Sequence, residues 1–265
     1  MENKLNDYIK NLKKEQIKML MKLKKNLVLL MTVLVGSLAF SACNDNDDGG
    51  YTYVPQSVFQ IINAYPHADE GLGFALGQQK INLDGPLKYG EKTVYIGPIV
   101  PNQYDYTAGI SGTDTPILDT TITLKDSTYH TSIIYGPEGS PNSIFVDDKQ
   151  PSDFDQSKAN VRFFNVADNT VPLDVNLIGS GEPINVITGR GADNQSTAKQ
   201  NQVFKPVATG VYTIQFTDES GEEVAKKQET VTLNAGGYYT IIARGIKGNT
   251  NKPLTVGFVD HFPQQ

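Results

Sequence analysis

The same succession of short motifs occurs twice in this chain, about 100 residues apart, and this duplication limits the possible folds more than any other feature. Phe59-Gln60-Ile61-Ile62-Asn63 aligns with Val161-Arg162-Phe163-Phe164-Asn165. Thr121-Ile122-Thr123-Leu124 aligns with Thr230-Val231-Thr232-Leu233. Tyr129 to Gly136 aligns with Tyr238 to Gly245, and Phe145-Val146-Asp147-Asp148 with Phe258-Val259-Asp260-His261. The offset grows from 102 to 109 to 113, so the second copy carries longer loops. Solenoid repeats run about 20–50 residues, whereas this period is the size of a domain. The expectation is two similar domains in tandem.

Each copy reads as short strands. Leu173-Asp174-Val175-Asn176-Leu177 alternates apolar and polar residues, which places Leu173, Val175 and Leu177 on one buried face. Tyr212, Ile214 and Phe216 alternate with Thr213 and Gln215 in the same way. Asp218-Glu219-Ser220-Gly221 and Asn234-Ala235-Gly236-Gly237 supply turn chemistry between strands. No segment after residue 43 sustains the i, i+3, i+4 pattern of a substantial helix. About seven strands in about 100 residues make a β-sandwich. The predicted fold is therefore all-β, with two tandem immunoglobulin-like antiparallel sandwiches. They span residues 58–148 and 159–262, with a linker at 149–158. The polar stretch Gly189 to Gln202 reads as a solvated loop with almost no apolar anchor.

The first 42 residues read differently. A basic stretch leads into the apolar run Leu27 to Leu38, followed by small residues and the chain's one cysteine, Cys43. These are the parts of a signal peptide. The run is too short for the roughly 20 residues of a spanning helix. Translation from Met19 or Met21 gives a more ordinary basic region. Ala42-Cys43 resembles the lipobox of bacterial lipoproteins, which implies cleavage after Ala42 and lipidation of Cys43. Asn44-Asp45-Asn46-Asp47-Asp48 follows as part of a tether over residues 43–57. Acidic residues at that place resemble the surface-export signal of Bacteroidetes lipoproteins. That resemblance implies an outer-membrane lipoprotein facing the medium.

Of the chain's 23 basic and 29 acidic residues, eight lysines and three acidic residues lie in 1–42, which leaves 15 and 26. A net charge of about −11 is the wrong sign for neutralising phosphate, so nucleic acid is excluded as a partner. With Cys43 lipidated, no cysteine remains for a disulfide, and the domains must hold by packing alone.

The junction between the copies carries a family resemblance. Phe145-Val146-Asp147-Asp148, Pro151, Ala159-Asn160-Val161-Arg162-Phe163-Phe164-Asn165-Val166 and Leu173-Asp174-Val175 resemble the start of a domain in the domain-of-unknown-function 4397 family. Gly210-Val211-Tyr212-Thr213-Ile214 and Leu233 to Thr240 resemble later strands of that family. The resemblance implies exported, often lipid-anchored, tandem sandwiches, and implies no reaction.

Catalytic chemistry finds little footing. His67, His130 and His261 lie in no metal-binding spacing, and neither a nucleophile elbow nor a phosphate-binding loop occurs. Gly179-Ser180-Gly181 reads as a turn. The carboxylate pairs Asp147/Asp148, Asp153/Asp155 and Glu222/Glu223 fall in expected turns and linkers, where solvated acids are ordinary. The four aspartates near the junction also have the hard oxygens that calcium takes. Solvated acids are the expectation, and no metal or cofactor is assigned. Tyr51, Tyr53 and Tyr65 lie near the tether and are the candidates for an exposed sugar-stacking face. The sequence thus predicts a non-catalytic module, anchored through Cys43, that binds or presents extracellular protein or glycan. The alternative is a structural or adhesive, fimbrillin-like subunit.

Overall fold

A computed structural model describes residues 53–261, except 83, 114, 152 and 153. The signal peptide, Cys43 and most of the tether lie outside the described residues. From Val54 onward the described residues form one compact unit.

The first half contains β1 Ser57–Asn63, β2 Leu72–Leu76, β3 Gln79–Lys80, β4 Ile96–Ile99, β5 Gln103–Ile110, β6 Pro116–Thr123, β7 Thr128–Tyr135 and β8 Asn142–Asp147. The second contains β9 Ala159–Asn165, β10 Leu173–Ile178, β11 Ile184–Arg190, α1 Gln195–Gln200, β12 Lys205–Val207, β13 Gly210–Thr217, β14 Glu223–Lys226, β15 Val231–Leu233, β16 Tyr238–Arg244 and β17 Thr255–Asp260. The first half pairs its strands as β4-β1-β7-β8 and β3-β2-β5-β6. The second pairs them as β12-β9-β16-β17 and β11-β10-β13-β14, with β15 also on β13. The chain is all-β and folds as sandwiches with the same strand plan. In each, one pair is parallel, β1 with β7 and β9 with β16, within otherwise antiparallel sheets.

The burial of each strand follows from its place in the stack. In β10 burial alternates residue by residue, as in a strand covered on one face. In β9 every residue of Ala-Asn-Val-Arg-Phe-Phe-Asn is buried, which requires cover on both faces. One face of β9, with Val161 and Phe163, enters the second sandwich's own core. The other, with Phe164 and then Val166 just past the strand, meets Ile62, Ile133, Ile144 and Val146 of the first sandwich. The sandwiches therefore pack sheet against sheet, around an apolar layer separate from their own two cores.

This layer reflects the repeat. Ile62 aligns with Phe164, Ala64 with Val166, Ile133 with Ile242 and Val146 with Val259, and all eight residues belong to it. Equivalent surfaces meet, as in an isologous dimer fused into one chain.

The stretch from Gly189 to Gln202, expected to be a solvated loop, is ordered. It holds α1, whose Asn194 cap and Thr197 form a capping box, and it buries Ala198. Its glutamines seal an edge of the first sandwich. The Phe145 N–H donates to Gln195 Oε1 at 2.7 Å, and Gln195 Nε2 donates to the Phe145 carbonyl at 2.8 Å. The Asp147 N–H donates to Gln202 Oε1 at 2.9 Å. Alternate residues of β8 thus find, in side-chain amides, the partners that another strand would supply.

Candidate functional site

The densest acid–base chemistry lies at one end of the interface between the sandwiches. Arg162, at the position of Gln60 in the repeat, projects from β9 toward the first sandwich. Its guanidinium meets Asp148 Oδ1 at 2.5 Å with both side chains almost wholly buried. It also donates to Thr240 Oγ1 at 2.8 Å and Thr131 Oγ1 at 3.2 Å, and to the carbonyls of Asp147 and Gln202. The Phe204 ring lies 4.4 Å beneath it.

A ring of hydrogen bonds closes around this pair. Arg162 Nε–H donates to Thr240 Oγ1, which lies 2.6 Å from His261 Nε2. Tyr95 Oη lies 2.7 Å from His261 Nδ1 and donates to Asp148 Oδ2 at 2.7 Å. The Asp148 carboxylate only accepts, so Tyr95 gives its proton there and must accept Nδ1–H from His261. With the proton on Nδ1, Nε2 accepts from the Thr240 hydroxyl. His261 is then neutral with its proton on Nδ1. Burial and the neighbouring Arg162 charge pull its pKa down to about 3, which agrees with the neutral form. Burial pushes the Asp148 carboxyl up, but Arg162 and the other partners overcome this and hold it below the usual range. Burial, with Asp148 beside it, pushes the Tyr95 hydroxyl up.

Asp147 points to a different set of partners. It lies 2.6 Å from Lys125 Nζ, 3.7 Å from Lys149 Nζ and 3.1 Å from His130 Nδ1. His130 accepts the Lys125 N–H on Nε2, which leaves its proton on Nδ1. Hydrogen bonding from His130 and Lys125 holds the Asp147 carboxyl well below its usual range, although burial opposes this. Both histidines have their acceptor nitrogen occupied by a protein donor and are buried. Neither offers a base to a molecule arriving from outside.

The other candidates are dispersed. His67 Nε2 lies 3.7 Å from Asp168 across the two halves. Asp155 accepts from Ser157, and Glu223 from Gln215 on an exposed hairpin. Glu222 is exposed, and Gly179-Ser180-Gly181 bends between β10 and β11. The junction aspartates do not assemble a calcium clamp. Asp147 and Asp148 face separate cations, while Asp153 lies outside the described residues. Among the described residues no group of three or more His, Cys, Asp or Glu converges on one point. Tyr65, expected to be exposed, is buried, and its hydroxyl accepts the Gly139 N–H at 3.0 Å. Tyr53 is exposed, and Tyr51 lies outside the described residues.

Among the accessible grooves, two flank the interface, one along the last strand of each sandwich, and another of about 430 Å³ lies in the first sandwich beside Gln79, Pro98 and Tyr104. The groove along β8 is about 270 Å³, lined by Thr120 to Thr123, Lys125, Ser143, Phe145, Gln195 and Lys199. The groove along β17 is about 460 Å³. Both sandwiches form its floor, through Ile62 and Ile242, with Phe258 beside them. Glu91, Lys92, Lys227 and Arg244 bring charge to its wall. The first sandwich's loop there is held by Arg244, which donates to the Gly90 carbonyl at 2.8 Å. Reading by motif does not single out Arg162, Tyr95, Lys92 or Arg244. The one signal for Arg162 is that the repeat sets a cation and a neutral amide at equivalent places.

These features define a class: an all-β protein of two sandwiches packed sheet against sheet, with grooves at their junction. Residues 58–176 match the family described as Domain of unknown function (DUF4397), over the first sandwich and β9 and β10 of the second. No curated protein matches the chain. Among solved structures, the chain resembles CBMbc, a family CBM26 module of Eubacterium rectale Amy13K in complex with maltoheptaose. The identity is 11%, the TM-score 0.24, and coverage is 78% of this chain and 98% of that one. A streptococcal virulence factor described by its α-glucan binding is 12% identical, with a TM-score of 0.25 and coverage of 70% and 92%. Family 41 carbohydrate-binding modules from streptococcal virulence factors are 11% identical, with a TM-score of 0.25 and coverage of 76% and 96%. At these scores the likenesses carry no argument about the ligand.

Proposed function

We propose that this chain is a non-catalytic binding module, tethered outside the cytoplasm through a lipid on Cys43, that holds an extracellular glycan in the groove along β17. One observation carries the reading: this groove sets a partly exposed Phe258 among Glu91, Lys92, Lys227 and Arg244 within about 460 Å³, in a lining more polar than apolar. Sugars present both C–H faces and hydroxyls, so they suit Phe258 on one side and Glu91, Lys92 and Lys227 on the other. The buried acid–base ring beside it is fully engaged and unreachable, and its role is to fix the two sandwiches that form the floor. The Ala42-Cys43 lipobox and acidic tether support placement at the outer membrane, facing the medium.

A glycan array probed with the full chain tests the reading, followed by the Lys92→Ala/Lys227→Ala variant. Binding reduced tenfold or more by the variant is the expected result. An empty array, or binding untouched by the double substitution, rejects the assignment of this groove. Capture of a surface protein in place of glycan would redirect the reading to protein presentation.

A further inference from the structure

The structure leaves one long strand edge open. Leu124 N–H donates to the Asn102 carbonyl, continuing the ladder between β5 and β6. Bonding alternates along an antiparallel strand, so Leu118, Thr120 and Ile122 turn their backbone groups toward β5. Asp119, Thr121 and Thr123 turn theirs outward. Their side chains are exposed, and among the described residues no strand pairs with that side of β6.

The other edges are protected by recognisable devices. β3 has two residues, and β4 and β12 contain Pro98 and Pro206. β11 is broken by two register shifts. β8 is sealed by Gln195 and Gln202. β17 borders a groove walled by Lys92 and Lys227. The repeat sharpens the contrast. Where the first sandwich has the eight-residue β6, the second has the four residues of β14 and three of β15, separated by Lys227 and Glu229. After Pro116 and a register shift at its start, β6 runs unbroken from Leu118 to Thr123, and its outward groups there are threonines and one aspartate.

We propose that β6 pairs antiparallel with β6 of a second copy of this chain about a twofold axis, joining two sandwiches into one sheet. The sequence is complementary to itself in one register. With Thr121 set against Thr123, the arrangement repeats on both sides of the axis. Asp119 then falls opposite Lys125 at each end, and no like charges meet. Opposite charges and Thr–Thr pairs both favour cross-strand neighbours. Lys125 also pairs with Asp147, but its side chain is 58% exposed and stays within reach. This contact lies along β6, away from the glycan groove on β17, so the two assignments fail independently.

Sedimentation of the full chain carrying Cys43→Ser, in mild detergent, tests the pairing. A reversible monomer–dimer equilibrium is expected. Thr121→Pro removes an outward N–H at a position that edge strands tolerate, and should weaken the dimer at least tenfold. Asp119→Lys should weaken it similarly, by setting a second positive charge opposite Lys125 at each end, while leaving the thermal melt of the monomer intact. A monomer at every concentration would overturn the proposal, as would a dimer that Asp119→Lys does not weaken. Should Thr121→Pro disturb the fold, the Asp119→Lys result alone decides.

Discussion

Replacing Arg162 by glutamine, the residue that the first copy carries at Gln60, isolates what the buried pair does. The substitution keeps a hydrogen-bonding amide near Thr240 but removes the one cation that faces Asp148 at 2.5 Å. Removing one partner of a buried pair costs about 3–5 kcal/mol, because the remaining charge has lost its compensation. For a folded unit of this size, 1 kcal/mol moves the melting temperature about 2–4 °C, so a fall of about 10 °C is expected. The pH dependence should change sign as well. In the native protein the Asp148 carboxyl sits below its unfolded value, so its contribution is present at neutral pH and is lost as pH falls through the folded value. In Arg162→Gln the effect of burial is unopposed and the carboxyl moves up. Stability should then improve as pH is lowered from 7 toward 5. Denaturant unfolding at both pH values measures this, with Arg162→Gln/Asp148→Asn as the second arm. That double variant should recover more than half of the loss. A loss below about 1 kcal/mol, no more than a typical point substitution costs, or an unchanged pH slope, would refute the reasoning.

Three further outcomes follow. His261 is held down to about pKa 3, so above its unfolded value near 6.5 its contribution is complete, and below it stability declines toward pH 3; His261→Gln should flatten that decline in urea titrations. Phe164→Ala opens a cavity in the layer between the sandwiches and should destabilise by about 3–5 kcal/mol; two separate unfolding transitions in calorimetry would show that the halves become independent. Gln195→Ala uncovers the N–H and carbonyl of Phe145 and should cost about 1–3 kcal/mol, with faster aggregation followed by light scattering; unchanged scattering would sink the role given to that side chain.

The repeat and the alternation of β10 and β13 made the sandwiches legible, because an edge-to-centre alternation records which face is wet. What joins them was not legible. In β9, Val161-Arg162-Phe163-Phe164 carries core residues on both faces, and an arginine in the middle reads as solvent-facing. Only the position of Asp148, just past the end of β8, shows otherwise, and no local spacing links the two. For the same reason Asp147 and Asp148, adjacent in sequence, look like one acidic pair although their side chains enter different environments. α1 was hidden because its one buried residue, Ala198, sets up no period, although Asn194 and Thr197 stand at capping-box spacing. The accessible wall of the β17 groove comes from four separate loops and strands, so it leaves no motif.

The sealing of β8 has a consequence for the order in which the protein matures. The strand ends at Asp147, whereas Gln195 and Gln202 lie 50 and 55 residues beyond the positions they bond. On the proposed export route the chain emerges N-terminus first, so β8 reaches the far side before the amides that close its border. A chaperone waiting there would meet a half-built molecule whose vulnerable side is known in advance.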